Sequence, residues 1–552
     1  MVRSNGEGRR LRALRGGALG GTLALATVAA DLRAGEAPPE PDVTETIDAA
    51  GTSANDAGDV TESIAPDTPG DATTGPAAKP GSSPASSGES AERLRLGGWA
   101  RESVEYGFYD GGMRGSGADD LLRVPRDRVA SRTELLIRSN YQRGHWFEAA
   151  VSGSLELGTF VQSSGSDDLR SPGARAKVDG ELRELYLGFF WPAFDLRLGQ
   201  QRVAWGRADV FSPNDVLNAR DLRDPFLSEA ELRTLPTPMA RGDFYAGPWT
   251  FEAVVEPVFV PDRFTLYGSN WAVIQPDAPA AARGLFGLLD RRLDPSIQDQ
   301  LDGVLQQTRL PDWNGEGVSA AAKLGLSAEG VDWDLYYQYG YDGTPFVTLD
   351  PSLARLLGST NFARATLADL APILRALDQG IHPIDSEYIR RHHVGFDVAL
   401  TAGPFVLRVD AAFESQRVFY RASDFTSIKS PTMLAVTSAE YQTGDLDKTL
   451  ILEIVYVRLA DHLAERLLSY DAPTSLGATA LWRWPIFGDL GFSFRGIVGV
   501  LPRFYMVQPA LELKLGDFLL RGGALAMNGE AGSYGWYLRH DTTAYLQVRY
   551  GF

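Results

Sequence analysis

The chain ends Ala544-Tyr545-Leu546-Gln547-Val548-Arg549-Tyr550-Gly551-Phe552. Successive side chains of a strand point to opposite faces. Ala544, Leu546, Val548, Tyr550 and Phe552 therefore share one face, and Tyr545, Gln547, Arg549 and Gly551 the other. One face is apolar and one polar. That alternation suits a stave of a membrane barrel, and equally a half-buried strand of a soluble antiparallel sandwich.

The opposite end of the chain separates these readings. Arg3, Arg9, Arg10, Arg12 and Arg15 precede a short apolar run from Ala18 to Ala30, and Val28-Ala29-Ala30 or Gly35-Glu36-Ala37 offers a cleavage site. Residues 1–37 thus read as a secretory signal peptide, too short to span a bilayer as a helix. No later segment is apolar for the ~18 residues a membrane helix needs. An exported chain of this kind enters a membrane only as a closed barrel, because backbone groups in lipid must be satisfied internally.

Composition points the same way. The 552 residues include no cysteine, which excludes disulfides and thiolate metal sites. A net charge of −18 opposes binding to nucleic acid phosphates. Mean hydropathy is −0.16, as alternating strands produce. Eleven Trp and 20 Tyr supply interfacial girdles. Residues 38–92 are nearly all Pro, Ala, Ser, Thr, Gly, Asp and Glu, a composition that buries too little apolar surface to offset ordering entropy. They read as a disordered acidic linker, leaving 93–552 for the barrel.

Strands of barrel length can be assigned outward at 94–107, 145–158, 193–204, 248–260, 330–341, 404–417, 448–459, 489–500 and 517–527. Returning strands fall at 129–142, 179–190, 238–246, 316–327, 389–401, 433–443, 473–484, 503–515 and 536–552. This gives about eighteen, with sixteen the alternative count. Short turns rich in Gly or Pro, such as Ala246-Gly-Pro-Trp249, alternate with long loops at 108–128, 159–178, 205–237, 261–315, 342–388 and 418–432. Short periplasmic turns and long external loops are the pattern of outer-membrane barrels, and a sandwich has no reason to respect that parity. Facing agrees: Phe405, Leu407, Val409, Ala411 and Phe413 oppose Arg408, Asp410 and Glu414. Inward charges of both signs imply a wet interior.

The densest polar stretch follows strand 193–204 and forms the third long loop. Arg202, Trp205, Arg207, Asp209, Asn214, Asp215, Asn218, Arg220 and Asp221 fall within twenty residues. Trp205-Gly206 permits a sharp turn, and Pro213-Asn214-Asp215 is turn chemistry. Two roles fit: a constriction whose fixed charges filter solutes, or a loop folded on itself through Arg–Asp and Asx contacts.

The run Gly199-Gln200-x-x-x-x-Trp205-Gly206-x-x-Asp209 … Pro213-Asn214-Asp215-Val216-x-Asn218-x-x-Asp221 resembles a proteobacterial family of porin-like outer-membrane barrels of unknown function, whose members often lie beside genes for catabolism or export of hydrophobic compounds. The terminal strand ending in Phe552 also resembles the C-terminal signal of Gram-negative outer-membrane proteins. These resemblances imply outer-membrane lipid around the wall, recognition of Phe552 by the barrel-assembly machinery, and a third loop folded into the lumen.

Two loops carry helical periodicity: 281–308, with Leu285, Leu288, Leu289, Ile297, Leu301, Val304 and Leu305, and 363–379, with Leu367, Leu370, Ile373, Leu374 and Leu377. Their apolar faces either pack together to close the loops or line a vestibule for a hydrophobic solute. Enzyme chemistry is poorly supported. None of the six histidines stands in a nucleophile motif, the adjacent His392 and His393 point to opposite faces of a strand, and no metal or nucleotide motif appears. The expectation is a passive channel for small solutes without cofactor. A structural or adhesion barrel, or a component of a hydrophobic-compound export system, is the alternative.

Overall fold

The computed structural model describes residues 92–108, 124, 126–163, 173–292, 311, 315–328, 330–362, 364–379, 381, 384–421, 426–442, 448–461 and 474–552. The expected signal peptide and nearly all of the acidic linker lie outside the described residues.

Eighteen antiparallel strands form one closed sheet. They are β1 Glu92–Gly107, β2 Arg126–Arg143, β3 Phe147–Ser163, β4 Gly173–Trp191, β5 Phe194–Gln201, β6 Thr237–Ala246, β7 Trp249–Glu256, β8 Ser319–Ala328 and β9 Val331–Tyr341. The second half comprises β10 Arg390–Ala402, β11 Phe405–Tyr420, β12 Ser427–Gln442, β13 Thr449–Leu459, β14 Thr474–Phe487, β15 Leu490–Leu501, β16 Arg503–Leu515, β17 Phe518–Gly529 and β18 Thr543–Gly551. Every strand assigned from the sequence has its counterpart here. No helix among the described residues is long and apolar enough to cross a membrane.

The terminal stretch closes the cylinder. β18 pairs with β1 from Gly107↔Thr543 to Trp99↔Gly551 and with β17 from Phe518↔Tyr550 to Leu525↔Thr543. Past the last strand residue, the Gly98 amide donates to the Phe552 carbonyl at 2.8 Å, and the Phe552 amide donates to Gly98 at 3.0 Å. Position 98 must be glycine, because a Cβ there would collide with the Leu136 carbonyl oxygen. Leu546, Val548 and Tyr550 are exposed on the outer wall while Tyr545, Gln547 and Arg549 are buried within.

β3 runs on to Ser163, and β4 and β12 begin early, at Gly173 and Ser427, so these strands are longer than the sequence reading, whereas others are shorter where a loop leaves the wall. β18 begins at Thr543 because Ser533 caps a helical turn, Tyr534–Tyr537, its hydroxyl accepting from the Trp536 amide at 3.2 Å. β5 stops at Gln201 because the Asn218 side chain takes the Val203 amide at 2.7 Å in place of a ladder partner. β7 stops at Glu256, where the chain enters the fourth loop. At the loop end, Pro502 alone joins β15 to β16, an exception to the long connections there.

The inner wall has unlike sectors. Towards the loop end of β16–β18, Phe504, Met506, Leu525 and Tyr545 face inward and are buried. They pack with Phe226 of the third loop, Tyr267 and Trp271 of the fourth, and Tyr534 and Tyr537. Apolar packing of the loops therefore fills that part of the lumen. The helices Ala280–Arg292, Pro351–Ser359 and Leu367–Asp378 bury Leu285, Leu353, Leu357, Leu370 and Ile373 in a separate small core. The apolar faces recognised in the two helical loops are thus turned towards each other where they are described. Residues 293–310, with Ile297, Leu301, Val304 and Leu305, lie outside the described residues.

Candidate constriction in the third loop

Residues 202–236 connect β5 to β6 and run inside the barrel. The entry turn is local chemistry: Gly206 adopts φ +89°, and a Cβ there would collide with the Ser212 hydroxyl. Only glycine lets the backbone approach so closely. Trp205 is 1% exposed, its indole tilted at 40° against Tyr336 with ring centroids 5.1 Å apart and its Nε1 donating to Glu252 Oε1 at 3.0 Å.

Carboxylates on the wall then hold the loop backbone. Asp410 accepts from the amides of Arg207 at 3.0 Å and Ala208 at 3.2 Å and from the Ser212 hydroxyl at 2.7 Å. Glu453 accepts from the amides of Asp209 and Val210, both at 2.9 Å, and of Phe211 at 3.2 Å. Buried N–H groups outside a ladder need such acceptors, and ionised ones bind them more strongly than neutral ones. Beneath the loop, Asp334, Asp397 and Asp410 stand side by side on three adjacent strands, paired in register. Arg207 lies over this carboxylate ladder, with Nε 2.8 Å from Asp397 and Nη2 2.7 Å from Asp334. Burial alone would weaken the Arg207 charge, but Asp334 and Asp397 hold it protonated more firmly than a free guanidinium.

The sequence-predicted residues divide into two groups. Asn214, Asp215, Asn218 and Arg220 are buried and stabilise the loop itself. Arg220 donates to Asp215 at 2.7 Å, Asp215 accepts from the Trp205 amide at 3.3 Å, and Asn214 donates to the Phe396 carbonyl at 3.2 Å. Asp221 ties to Arg223 at 2.6 Å; burial raises its pKa, but the Arg223 contacts outweigh this and leave it lowered. Arg202, Arg207 and Asp209 keep lumenal exposure. The Asp209 side chain is 27% exposed and meets Arg408 at 2.5 Å, and Arg408 meets Glu440 at 2.6 Å. Arg202 is 31% exposed, 3.3 Å from Glu184 and 3.4 Å from Glu231.

The second half of the loop crosses to the opposite wall. Arg101 of β1 donates to the Leu227 carbonyl at 3.1 Å, Arg223 to Asp179 of β4 at 2.9 Å, and Trp99 to Glu231 at 3.3 Å. The loop therefore touches strands from both sides of the cylinder. Between its residues 211–220 and the wall lies a cavity of about 70 Å³ bordered by Glu256, Gln338, Arg391, Glu414 and Arg417. The wall anchors Glu252, Asp397 and Glu453 were not singled out from the sequence. Their only signal there is a charge on the inward face of an otherwise apolar strand.

Three solved structures are similar in fold. Pseudomonas aeruginosa OccK2 (OpdF) in complex with glucuronate is 11% identical, with 83% of this chain and 98% of that chain covered and a TM-score of 0.42. Acinetobacter baumannii OccAB1 is 8% identical, with 83% and 96% covered and a TM-score of 0.42. A loop-deletion mutant of OmpT, an outer membrane protein of Vibrio cholerae, is 10% identical, with 84% and 99% covered and a TM-score of 0.35. No curated protein matches the chain. A family model described as a protein of unknown function (DUF1302) matches residues 107–484, and the chain belongs to that family.

Proposed function

We propose that the protein is an outer-membrane channel for passive movement of small solutes, with the third loop forming its constriction. The observation that carries this reading is the loop's course: it enters the lumen, is clamped by Asp410 and Glu453 on one wall, and reaches Arg101 and Trp99 on the other. A barrel of this strand number leaves an aqueous interior unless a segment narrows it, and here fixed charges edge the narrowing. The apolar outer face of β18 and its terminal Phe552 support placement in the outer membrane and recognition by the assembly machinery. The polar border of the 70 Å³ cavity, with Arg391, Arg417, Glu256 and Glu414, favours small hydrophilic solutes over hydrophobic ones.

Planar-bilayer recording tests the reading. The purified, heat-modifiable barrel should give discrete single-channel steps; a folded barrel without steps would favour a structural or adhesion role. Asp209→Asn should lower the cation:anion permeability ratio, because Arg408 then faces the path without that carboxylate. One unit charge at ~4 Å in water-like surroundings is worth about 1 kcal/mol, so the expected change is roughly fivefold. Reversal potentials in a salt gradient measure it.

A further inference from the structure

The outer wall carries a polar cluster that neither the constriction nor the closure of the barrel uses. On β9, Tyr337, Tyr339 and Tyr341 occupy successive outward positions, paired in register with Val394, His392 and Arg390 of β10. Arg390 opens β10, so the cluster stands at the loop end of the wall. Its guanidinium lies over two rings, 4.4 Å from the centre of Tyr341 and 5.1 Å from that of Tyr339. It also donates to the Val318 carbonyl at 3.0 Å and to the Glu316 carbonyl. The His392 ring centre is 4.7 Å from that of Tyr339, and the Tyr337 hydroxyl bonds its Nδ1 at 2.9 Å, which leaves Nε2 for a ligand.

The arginines of the lumen are neutralised differently. Arg101, Arg207 and Arg408 each meet a carboxylate, whereas Arg390 is held by carbonyls and rings, with no carboxylate paired to it among the described residues. Aromatic belts lie level with lipid headgroups, so the tyrosines set this cation at headgroup depth. A guanidinium has five N–H donors in a planar fork that matches phosphate oxygens, and fixing that plane in advance lowers the cost of binding them. Towards the short turns the same face continues as Leu335, Val394 and Phe396, all exposed. A cationic edge above an apolar wall complements an anionic head carried on apolar chains.

We propose that this cluster is a binding site for the phosphate headgroup of an outer-leaflet lipid, with Arg390 and His392 on the phosphate and the acyl chains along Leu335, Val394 and Phe396. The proposal rests on placement in the outer membrane and not on conduction, so a folded barrel without channel steps leaves it standing. Native mass spectrometry of the heat-modifiable barrel in neutral detergent tests it, with diphosphorylated lipid A, an acylated glucosamine disaccharide, as the probe. The fraction of barrels carrying lipid should fall several-fold in the double variant Arg390→Gln/His392→Gln and less in Arg390→Lys, which keeps the charge but loses the fork. It should stay unchanged in Arg143→Gln, which removes an exposed cation at the short-turn end. Dephosphorylated lipid A should bind the wild type several-fold more weakly, a comparison that needs no variant to fold. Equal binding by wild type and double variant, equal binding of the two lipids, or an equal loss in Arg143→Gln would overturn the proposal. Full displacement of the lipid by equimolar inorganic phosphate would reveal a site for the bare anion and overturn it as well.

Discussion

Glu453→Ala is expected to free the third loop from the wall and raise single-channel conductance severalfold, more so when combined with Asp410→Ala. The Glu453 carboxylate accepts three consecutive backbone amides, those of Asp209, Val210 and Phe211, and also the Thr479 hydroxyl at 3.1 Å. Removing it leaves three donors without their acceptor. Each buried unsatisfied donor costs about 1–3 kcal/mol, so the clamp is weakened by roughly 3–9 kcal/mol before water compensates. Asp410 performs the same service for Arg207, Ala208 and Ser212. The barrel itself should persist, because its ladder bonds are untouched. Conductance histograms of wild type, single and double variants, taken beside heat-modifiability on gels, check both halves of the expectation.

Trp205→Ala is the second large perturbation, and it acts on packing. The indole fills the space between Tyr336, Met239 and Val254, and its N–H is held by Glu252. Deleting a buried aromatic of this size costs about 3–5 kcal/mol, which is roughly a hundred- to several-thousandfold in the population of released loop. Limited trypsin digestion reads that population directly. Arg220 is buried in the docked loop and Arg207 is largely covered. Cleavage after them should be slow in the wild type and accelerate by about two orders of magnitude in the variant. Trp205→Phe, which keeps most of the ring but loses the donor to Glu252, should fall between.

The fold was legible in the chain because a membrane wall imposes a strict pattern. Period-2 facing in stretches such as Phe405–Phe413, and the alternation of short Gly-Pro turns with long loops, are consequences of spanning lipid and survive in a single sequence. The loops were less legible, because no such rule governs them. The helix Pro351–Ser359 carried a readable start signal, Asp350 before Pro351, and Asp350 does accept from the Ser352 and Leu353 amides. Yet nine residues give too few turns for periodicity to identify it.

The third loop was recognisable from its concentration of Arg, Asp and Asn, but the division of labour within it was not. Asn214 and Asn218 look like lumenal polar groups in sequence and are instead buried structural donors and acceptors. Their partners, Phe396 and Leu235, are backbone carbonyls, which leave no trace in residue identity. The anchors Glu252, Asp397, Asp410 and Glu453 lie on four separate strands, up to 244 positions from the loop residues they hold. Only strand register brings them to one height.

The central claim is that the third loop lines the conducting path, and Asp209 is its most accessible acid. In the cysteine-free chain, Asp209→Cys gives a single thiol that a charged methanethiosulfonate reagent can modify during single-channel recording, with Leu511→Cys on the lipid face as control. The expected result is a stepwise fall in conductance for the variant at position 209 and none for the variant at 511. Unchanged conductance after complete modification of the thiol introduced at position 209, verified by mass, would contradict the claim.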